Sequence, residues 1–278
     1  MVNRRIIPED DDSTLFICSG MQPFKKRFGQ LGGGRHGSLQ SCVRTDDIEL
    51  VGDGSHLTYF EMVGNFSFGG NDYESSVDLW HSILGDLRVP VTEIRVHPSC
   101  LDHQRLWVQR GYCVTPDPSC VWSDGTIGGH CCEVFCGSLE VGNLVNPLGH
   151  SVDVGFGWER LHQVVEGKPR VDQTSLFDTR LHPVLSDHCR TVTVLRQNGI
   201  EPGNKSRNYV CRRLLRRMLR LLSGNEQFEF SDWLQREREM RERSLIEGRR
   251  LWRKYRNKPP GFWRETFGIL PEELDLLG

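Results

Sequence analysis

The sequence predicts a β-rich α/β body up to about residue 185, followed by a helical domain. Before residue 185, short segments of alternating apolar and polar residues are separated by glycine-containing turns, which is typical of strands. From about Leu185 to Leu222 the pattern changes to helical spacing with many arginines. Residues 231–258 are expected to form a long charged helix, which Pro259 and Pro260 end.

Several segments of the body have the pattern of strands. LFICSGM (15–21) is apolar enough for a buried strand, and SLQSCVR (38–44) alternates up to Arg44. In HLTYFEMVGNFSFGG (56–70), Gly64-Asn65 interrupts the alternation, which predicts a pair of core strands. The remaining strands are expected in TEIRVHP (92–98), CVWSDGTIGGHCCEVFCG (120–137), LEVGNLVN (139–146) and the start of SVDVGFGWERLHQVV (151–165).

Two helices are expected within the body. Residues 76–87 carry Val77, Trp80 and Leu84 at the spacing of an amphipathic helix. The second helix is expected at the end of 151–165, after two glycines.

The overall charge balance gives no general nucleic-acid signature. The chain has 278 residues, with 35 Lys and Arg against 37 Asp and Glu, so the net charge is −2. Basic charge is concentrated in residues 207–220, which contain six arginines and no acid. The sequence has no apolar run long enough for a signal peptide or a membrane span, so a cytoplasmic protein without a membrane partner is expected.

The ten cysteines do not form a recognisable metal-binding pattern. None stand as C-x-x-C, and no paired cysteine–histidine zinc motif is present. Cys131, Cys132 and Cys136 offer ligands together with His130, but scattered reduced thiols are the preferred interpretation. No metal-binding residue is assigned from the sequence.

Two features are suited to binding an anion. Arg44 ends a predicted strand, where a guanidinium can hold a phosphate through two hydrogen bonds. Gly155-x-Gly157-x-Glu159-Arg160 places an arginine in the first turn of a helix, where the helix dipole also favours an anion. A surface arginine and a structural helix start are the alternatives. Asp153, on the strand before these glycines, would need a cation beside it, and an amino-acid ammonium group would supply one.

Three stretches together resemble the alanyl-tRNA synthetases, a class II family: CVRTDDIELVG (42–52), HLTYFEMVGNFSFG (56–69) and SVDVGFGWERL (151–161). The resemblance covers roughly residues 13–222 and, more weakly, 245–277. It implies an α+β fold with a class II synthetase-type antiparallel sheet flanked by helices, followed by a helical domain. Residues 1–185 would form the adenylate-forming aminoacylation domain, and 186–278 a shortened tRNA-recognition-like domain.

The resemblance also implies roles for individual residues. ATP would contact Arg44, Glu61, Phe66, Gly155, Gly157 and Arg160. The amino acid would contact Met62, Trp122, Asn143 and Asp153. Arg44 would hold the α-phosphate and Arg160 the γ-phosphate, so both are the expected catalytic residues, with Mg²⁺ as the cofactor that accompanies ATP. Met62 would line a pocket for alanine, and Asp153 would take its ammonium group.

The chain departs from the family pattern at several places. Ser55-His56 stands where the family has an additional arginine and histidine, so weaker binding of the triphosphate or of the tRNA acceptor end is expected. Gly142 replaces a tryptophan before Asn143, which is expected to enlarge or reshape the amino-acid pocket. No editing domain and no C-terminal oligomerisation domain are expected.

The arginine-rich segment resembles the start of the family's tRNA-recognition domain. The residues expected to contact the tRNA acceptor stem are Asn204, Arg212, Arg213, Arg216, Arg217, Arg220 and Glu265. A solvated arginine stripe is the alternative interpretation. Glu265 replaces the family's aspartate partner of Asn204 with a longer side chain, which is expected to alter the reading of a G·U pair.

The sequence therefore predicts ATP-dependent activation of alanine or another small amino acid, followed by transfer to tRNA. One rival hypothesis is a synthetase-like ligase that passes the activated amino acid to a small metabolite or a carrier protein. A second is a non-catalytic RNA-binding relic, against which the retained Arg44, Glu61, Asp153 and Arg160 argue.

Overall fold

A computed structural model describes residues 1–9, 11, 13–30, 34–70, 72–123, 125–222 and 227–278. The chain divides into two compact units, Met1–Thr179 and Arg180–Gly278. The expected domain boundary after residue 185 falls inside a helix of the second unit. No helix in the described part of the chain combines the length and apolar composition that a membrane-spanning segment needs.

The N-terminal unit is built on one large sheet. Its strands are β1 (Val2–Asn3), β2 (Gly34–Val43), β3 (Tyr59–Phe68), β4 (Glu93–Val96), β5 (Val114–Pro116), β6 (Val121–Ser123), β7 (Gly128–Cys136), β8 (Leu139–Val145) and β9 (Val152–Gly157). The order is β1-β2-β3-β9-β8-β7-β4-β5, with β6 paired to β7. All pairs are antiparallel except β1–β2 and β4–β5. This sheet confirms the predicted α+β class with a mostly antiparallel sheet.

Three helices of the N-terminal unit accompany the sheet: α1 (Tyr73–Asp86), α2 (Leu101–Gln109) and α3 (Trp158–Val165). The apolar residues of α1 that the sequence pattern selected, Val77, Trp80 and Leu84, are buried in the main core with Phe156 of β9. The Trp80 and Phe156 rings stack at 4.0 Å. Helix α2 was not predicted because its sequence is mostly polar and buries only Trp107.

The motif 56–70 forms one strand rather than a strand pair. Residues Tyr59–Phe68 pair continuously with β2, so the expected break at Gly64-Asn65 is wrong. A Cβ on Gly64 would lie 1.7 Å from the Val154 oxygen, so glycine allows close backbone approach instead of a turn. Asn65 anchors α1: its Oδ1 accepts a hydrogen bond from Trp80 Nε1 at 2.7 Å.

The predicted strand at 15–21 is also wrong, although the burial is right. Phe16, Ile17 and Met21 are buried, yet this fully described segment has no regular strand. Ile17 makes isolated backbone hydrogen bonds with Ile6 and Val43 instead. The apolar run therefore predicted burial correctly, but it did not predict whether the segment pairs with neighbouring strands.

The C-terminal unit is helical, as predicted. Its helices are α4 (Pro183–Gln197), α5 (Ser206–Leu219), α6 (Ser231–Tyr255) and α7 (Pro260–Phe267). Helix α6 ends at Tyr255, ahead of Pro259, and Pro260 begins α7 at a position that tolerates proline. Leu245, Trp263, Ile269 and Leu277 form one of its apolar clusters.

Candidate active site

A cavity of about 440 Å³ lies on the face of the sheet formed by β3, β8 and β9. Its lining residues that the sequence analysis had assigned are Arg44, Met62, Trp122, Asn143, Gly155, Gly157 and Arg160. Seven of the ten residues assigned to ATP and the amino acid therefore share one cavity. The remaining three, Glu61, Phe66 and Asp153, do not line it.

Arg44 lies directly after the last residue of β2 and is exposed. Its Nε donates a hydrogen bond to the Cys18 oxygen at 3.2 Å. Its guanidinium carbon lies 4.8 Å from the centroid of the Phe60 ring, which also lines the cavity. Within the described residues no carboxylate pairs with Arg44, so these contacts orient a cation that is available to an anionic ligand.

Arg160 enters the cavity from the first turn of α3, three residues after Gly157 at the N-cap. Its Nη1 donates to the Glu140 backbone oxygen at 2.8 Å and lies 3.7 Å from Glu140 Oε2. The side chain is about one-third exposed, so solvent screens the long ion pair. The helix N-terminus adds positive potential to the same wall.

Glu159 has a positioning role that the sequence pattern did not specify. It is almost fully buried, and its Oε2 accepts a hydrogen bond from the Glu61 backbone nitrogen at 3.0 Å. This contact ties the start of α3 to strand β3. It therefore holds Arg160 and Met62 on neighbouring parts of one wall.

The floor of the cavity is narrow because Met62 lies against Gly155. A Cβ on Gly155 would come within 2.5 Å of the Met62 Cε and 4.0 Å of Asn143 Oδ1. Glycine at 155 thus leaves room for the methionine and the asparagine amide together. Trp122 closes another part of the wall and packs on the buried Phe66 cluster behind it.

Asp153 lies on the cavity face of β9, one side-chain row beyond Gly155. Because side chains alternate between the faces of a strand, residues 153, 155 and 157 share one face. Asp153 therefore lies about 7 Å along β9 from Gly155 on the cavity wall. Burial raises the pKa of Asp153 to about 7. No described residue donates a hydrogen bond or a positive charge to this carboxylate. A cationic ligand group would stabilise it.

Three acidic residues on the cavity wall, Asp47, Glu133 and Glu140, were not predicted from the sequence. Glu133 of β7 and Glu140 of β8 both line the cavity. Burial, and then the negative charge of Glu140, raise the pKa of Glu133. The alternating pattern of GGHCCEVFC could have shown which face of the sheet carries Glu133, but this residue belongs to no recognised sequence motif.

Glu61 and Phe66 occupy other positions than expected. Phe60 and Met62 line the cavity, so Glu61 between them points to the opposite face of β3. Phe66 is buried in a cluster with Met21, 4.8 Å from the ring of Phe24. Phe66 therefore supports the aromatic wall from behind rather than lining the cavity.

Gly142 lines the cavity, but an added side chain there would meet the core. A Cβ on Gly142 would lie 2.4 Å from the Phe156 ring, which belongs to the main core. A side chain at 142 would consequently project into the core, not toward the ligand space. The Phe156 ring stacked on Trp80 occupies that volume instead.

The arginines of α5 do not form one exposed stripe. Arg216 is 1% exposed, and it bonds Glu237 Oε2 at 3.2 Å and Glu273 Oε2 at 2.8 Å. Arg212 bonds Glu237 Oε1 at 2.9 Å. Burial opposes the charge of Glu273, but Arg216 and hydrogen bonds hold its pKa below the usual value. Arg212 and Arg216 are thus paired with buried carboxylates, and both also line an open cavity of the C-terminal unit, so their contact with tRNA phosphates stays a prediction.

The other three arginines that were expected to contact tRNA also have protein partners. Arg213 lies 3.4 Å from Glu272 Oε1, and Arg217 Nε donates to His188 Nε2 at 3.1 Å. Arg220 follows α5, is exposed, and donates to the Glu272 backbone oxygen at 3.2 Å. Among the five, Arg220 is therefore the most accessible to a polyanion.

Asn204 lines a separate, open cavity of about 360 Å³ within the C-terminal unit. Its side-chain oxygen accepts a hydrogen bond from Arg212, and Arg243 and Ser244 of α6 contribute to the wall. Glu265 does not line this cavity; it pairs with Arg264 at 2.9 Å and is largely exposed. The structure thus keeps Asn204 at a polar surface cavity without Glu265 in its wall.

The family model described as tRNA synthetases class II (A) matches residues 2–97 and 149–233. The match covers most of the chain and includes Arg44, Met62, Asp153 and Arg160. The chain therefore belongs to the class II tRNA synthetase family.

Within that family its similar relatives include alanine–tRNA ligases. The ligase of Desulfitobacterium hafniense (strain Y51) is 32% identical over 284 residues, covering 77% of this chain and 32% of that protein. The ligase of Pelotomaculum thermopropionicum is also 32% identical, with the same two coverages. The chain spans about a third of the length of these curated relatives. Among solved structures, a pyrrolysyl-tRNA synthetase from Desulfitobacterium hafniense has a TM-score of 0.34 and 16% identity, covering 58% of this chain and 53% of that one.

Proposed function

We propose that the protein activates alanine or another small amino acid with ATP, forming an aminoacyl adenylate, and transfers the acyl group to tRNA. The observation that carries this proposal is the single cavity that combines Arg44 and Arg160 with a narrow floor of Met62 and Gly155. Cations suit a triphosphate, and the narrow floor suits a small side chain. The family membership supports the same chemistry.

The reaction would need positioning more than acid–base catalysis. The amino-acid carboxylate oxygen attacks the α-phosphorus, a new P–O bond forms, and the bond to the β-phosphate bridging oxygen breaks, so pyrophosphate leaves. Arg44 would stabilise the charge on the α-phosphate, and Arg160 the γ-phosphate. Their contacts to Phe60 and Glu140 orient them before the ligand binds, which lowers the cost of ordering them.

The carboxylates of the cavity suit Mg²⁺. Glu133 and Glu140 would hold it, because oxygen ligands are those Mg²⁺ prefers and because burial and the neighbouring charge of Glu140, which together raise the pKa of Glu133, would be offset by a cation. When bound with ATP, the ion would neutralise triphosphate charge. Glu159 is excluded from this role because its carboxylate already accepts from the Glu61 backbone.

Asp153 would receive the ammonium group of the amino acid. Its carboxylate is buried, has a pKa of about 7, and faces the same side of the sheet as Gly155 and Asn143. An ammonium group would replace the missing solvation and lower that pKa again. The short distance between Met62 and Gly155 would exclude long side chains.

For the acceptor, the Asn204 cavity and the exposed Arg220 support tRNA. The burial of Arg212 and Arg216 favours the second candidate, a small metabolite or carrier protein, because it gives these arginines a structural reason to be present. The number of arginines on α5 therefore no longer argues for tRNA. Charging assays with total tRNA separate these acceptors.

The test of activation is ATP–pyrophosphate exchange with each of the twenty amino acids, with and without total tRNA. Exchange is expected with alanine, serine or glycine. Arg44→Ala should reduce it by orders of magnitude, because the variant removes a preorganised cation from the α-phosphate. The matched control is Arg105→Ala, an exposed arginine on α2 outside the cavity, which should exchange like wild type. Equal activity of Arg44→Ala and wild type would contradict the proposed site.

A further inference from the structure

Three metal-ligating side chains converge away from the active-site cavity. The ligand atoms of His97, Cys100 and His130 all lie within 4.8 Å of one another. Cys100 Sγ is 3.3 Å from His130 Nδ1. The two imidazole rings stack with centroids 3.9 Å apart and planes 5° apart. None of the three residues lines the 440 Å³ cavity.

His130 lies on a strand, whereas His97 and Cys100 lie at the two ends of the short turn between β4 and α2. His97 follows β4 and receives a backbone hydrogen bond at its oxygen from Cys100, which is the N-cap of α2. His130 lies on β7, where it pairs with a residue of β6, and its backbone oxygen accepts a hydrogen bond from the Asn146 backbone nitrogen. Gln104 of α2 donates its side-chain amide to the His97 oxygen at 3.2 Å. These hydrogen bonds fix the turn that carries His97 and Cys100 against α2, so the backbone preorganises the three side chains.

The spacing suits a tetrahedral ion with nitrogen and sulfur ligands. Zinc–nitrogen and zinc–sulfur bonds of about 2.0–2.3 Å place neighbouring ligand atoms about 3.5 Å apart. The Cys100–His130 distance already matches this value, and rotation of the His97 side chain would bring the third ligand in. Nitrogen and sulfur donors favour zinc over magnesium or calcium.

We propose that His97, Cys100 and His130 bind one zinc ion, with water in the fourth position. His130 is exposed, so water can reach the ion. On binding, the Cys100 thiol releases its proton to solvent and the thiolate sulfur forms the bond to zinc. Cys100 and His130 lie outside the residues that the family model matches.

The ion would join the end of β4, the start of α2 and strand β7. Glu133, on the cavity wall, lies three residues beyond His130 on the same strand. Zinc would therefore stabilise the strand that carries this carboxylate without contacting the ligands of the cavity. Its expected effects are on stability first and on activation second.

The experiment measures metal content and cobalt spectra of the full chain. Purified protein is stripped with chelator, loaded with Zn²⁺ or Co²⁺, and analysed by elemental mass spectrometry. One zinc per chain is expected, with a rise in Tm, and the cobalt form should show a thiolate-to-metal charge-transfer band. His130→Ala should bind at least tenfold more weakly, and Cys100→Ser should lose the charge-transfer band while its circular dichroism is unchanged.

Matched controls are His81→Ala and Cys113→Ser, which remove an exposed histidine and an exposed free cysteine of the same unit. Both should bind zinc like wild type. Cys131→Ser tests the second group of suitable side chains, Cys120, Cys131 and Glu133. Wild type that binds no zinc, or zinc lost in Cys131→Ser but kept in Cys100→Ser and His130→Ala, would overturn the proposal.

Discussion

Replacing Asp153 by asparagine should change the pH dependence of stability. Its pKa in the folded protein is raised from 3.8 to about 7, and each pKa unit corresponds to about 1.4 kcal/mol. The shift therefore represents about 4 kcal/mol, and Asp153 is nearly buried, so solvent screening reduces this figure little. The unfolded chain loses this proton above about pH 4, whereas the folded protein keeps it until about pH 7.

The direction of the change in stability with pH follows from this difference in proton binding between the folded and unfolded states. The contribution of Asp153 to the free energy of unfolding is fully present below the pKa of the unfolded chain, and it is lost as pH rises through about 7. The free energy of unfolding of wild type should fall between pH 4 and 7 relative to Asp153→Asn, which has no proton to lose there. Urea unfolding at a series of pH values measures the difference.

Ligand binding provides the second part of this prediction. Asp153→Asn should reduce kcat/KM for amino-acid-dependent exchange by an amount equivalent to about 2–4 kcal/mol, as for losing one partner of a buried charge pair. The control is Asp102→Asn, an almost fully exposed carboxylate on α2, which should change neither quantity. A variant at 153 with the wild-type pH slope and wild-type exchange would refute both the pKa and the assigned role.

Three further predictions concern other parts of the molecule. Arg160→Ala should lose exchange yet retain AMP binding, measured by calorimetry, because its proposed contact is to the γ-phosphate; equal loss of AMP and ATP binding would contradict that role. Gly142→Ala should lower the free energy of unfolding by about 1–3 kcal/mol through overpacking of the core, whereas Gly85→Ala, with open space around it, should not destabilise. Arg216→Ala should destabilise by about 1–3 kcal/mol because it removes one of two arginine partners from each of Glu237 and Glu273, while Arg220→Ala should change urea midpoints little; similar midpoints for both would contradict the buried network.

The sequence predicted the sheet-based body, and the positions of some cavity-lining residues within it, best where periodicity and motif agreed. Arg44 at the end of β2, and Gly157 and Arg160 at the start of α3, were placed correctly because strand and helix boundaries coincide with those residues. Local patterns determine such positions. They do not determine which glycine approaches a neighbouring backbone, and for that reason Gly64 was misinterpreted as a break.

Long-range pairing was the part that the sequence could not supply. The partners of Arg216 lie 21 and 57 residues away, and only the fold shows that they neutralise it in the core. The convergence of His97 and Cys100 with His130 likewise depends on pairing of β4 with β7. Spacing along the chain carries no signal for contacts of this kind, so an exposed stripe was predicted where a buried network exists.

The central claim is that one cavity binds the nucleotide and the amino acid together, with Asp153 at the amine. A crystal structure with a non-hydrolysable alanyl-adenylate analogue tests it most directly. The ligand amine should lie about 2.7–3.0 Å from an Asp153 carboxylate oxygen, and the group that replaces the α-phosphate should lie within hydrogen-bond distance of Arg44. An analogue bound outside this cavity, or with its amine held by another group, would contradict the account.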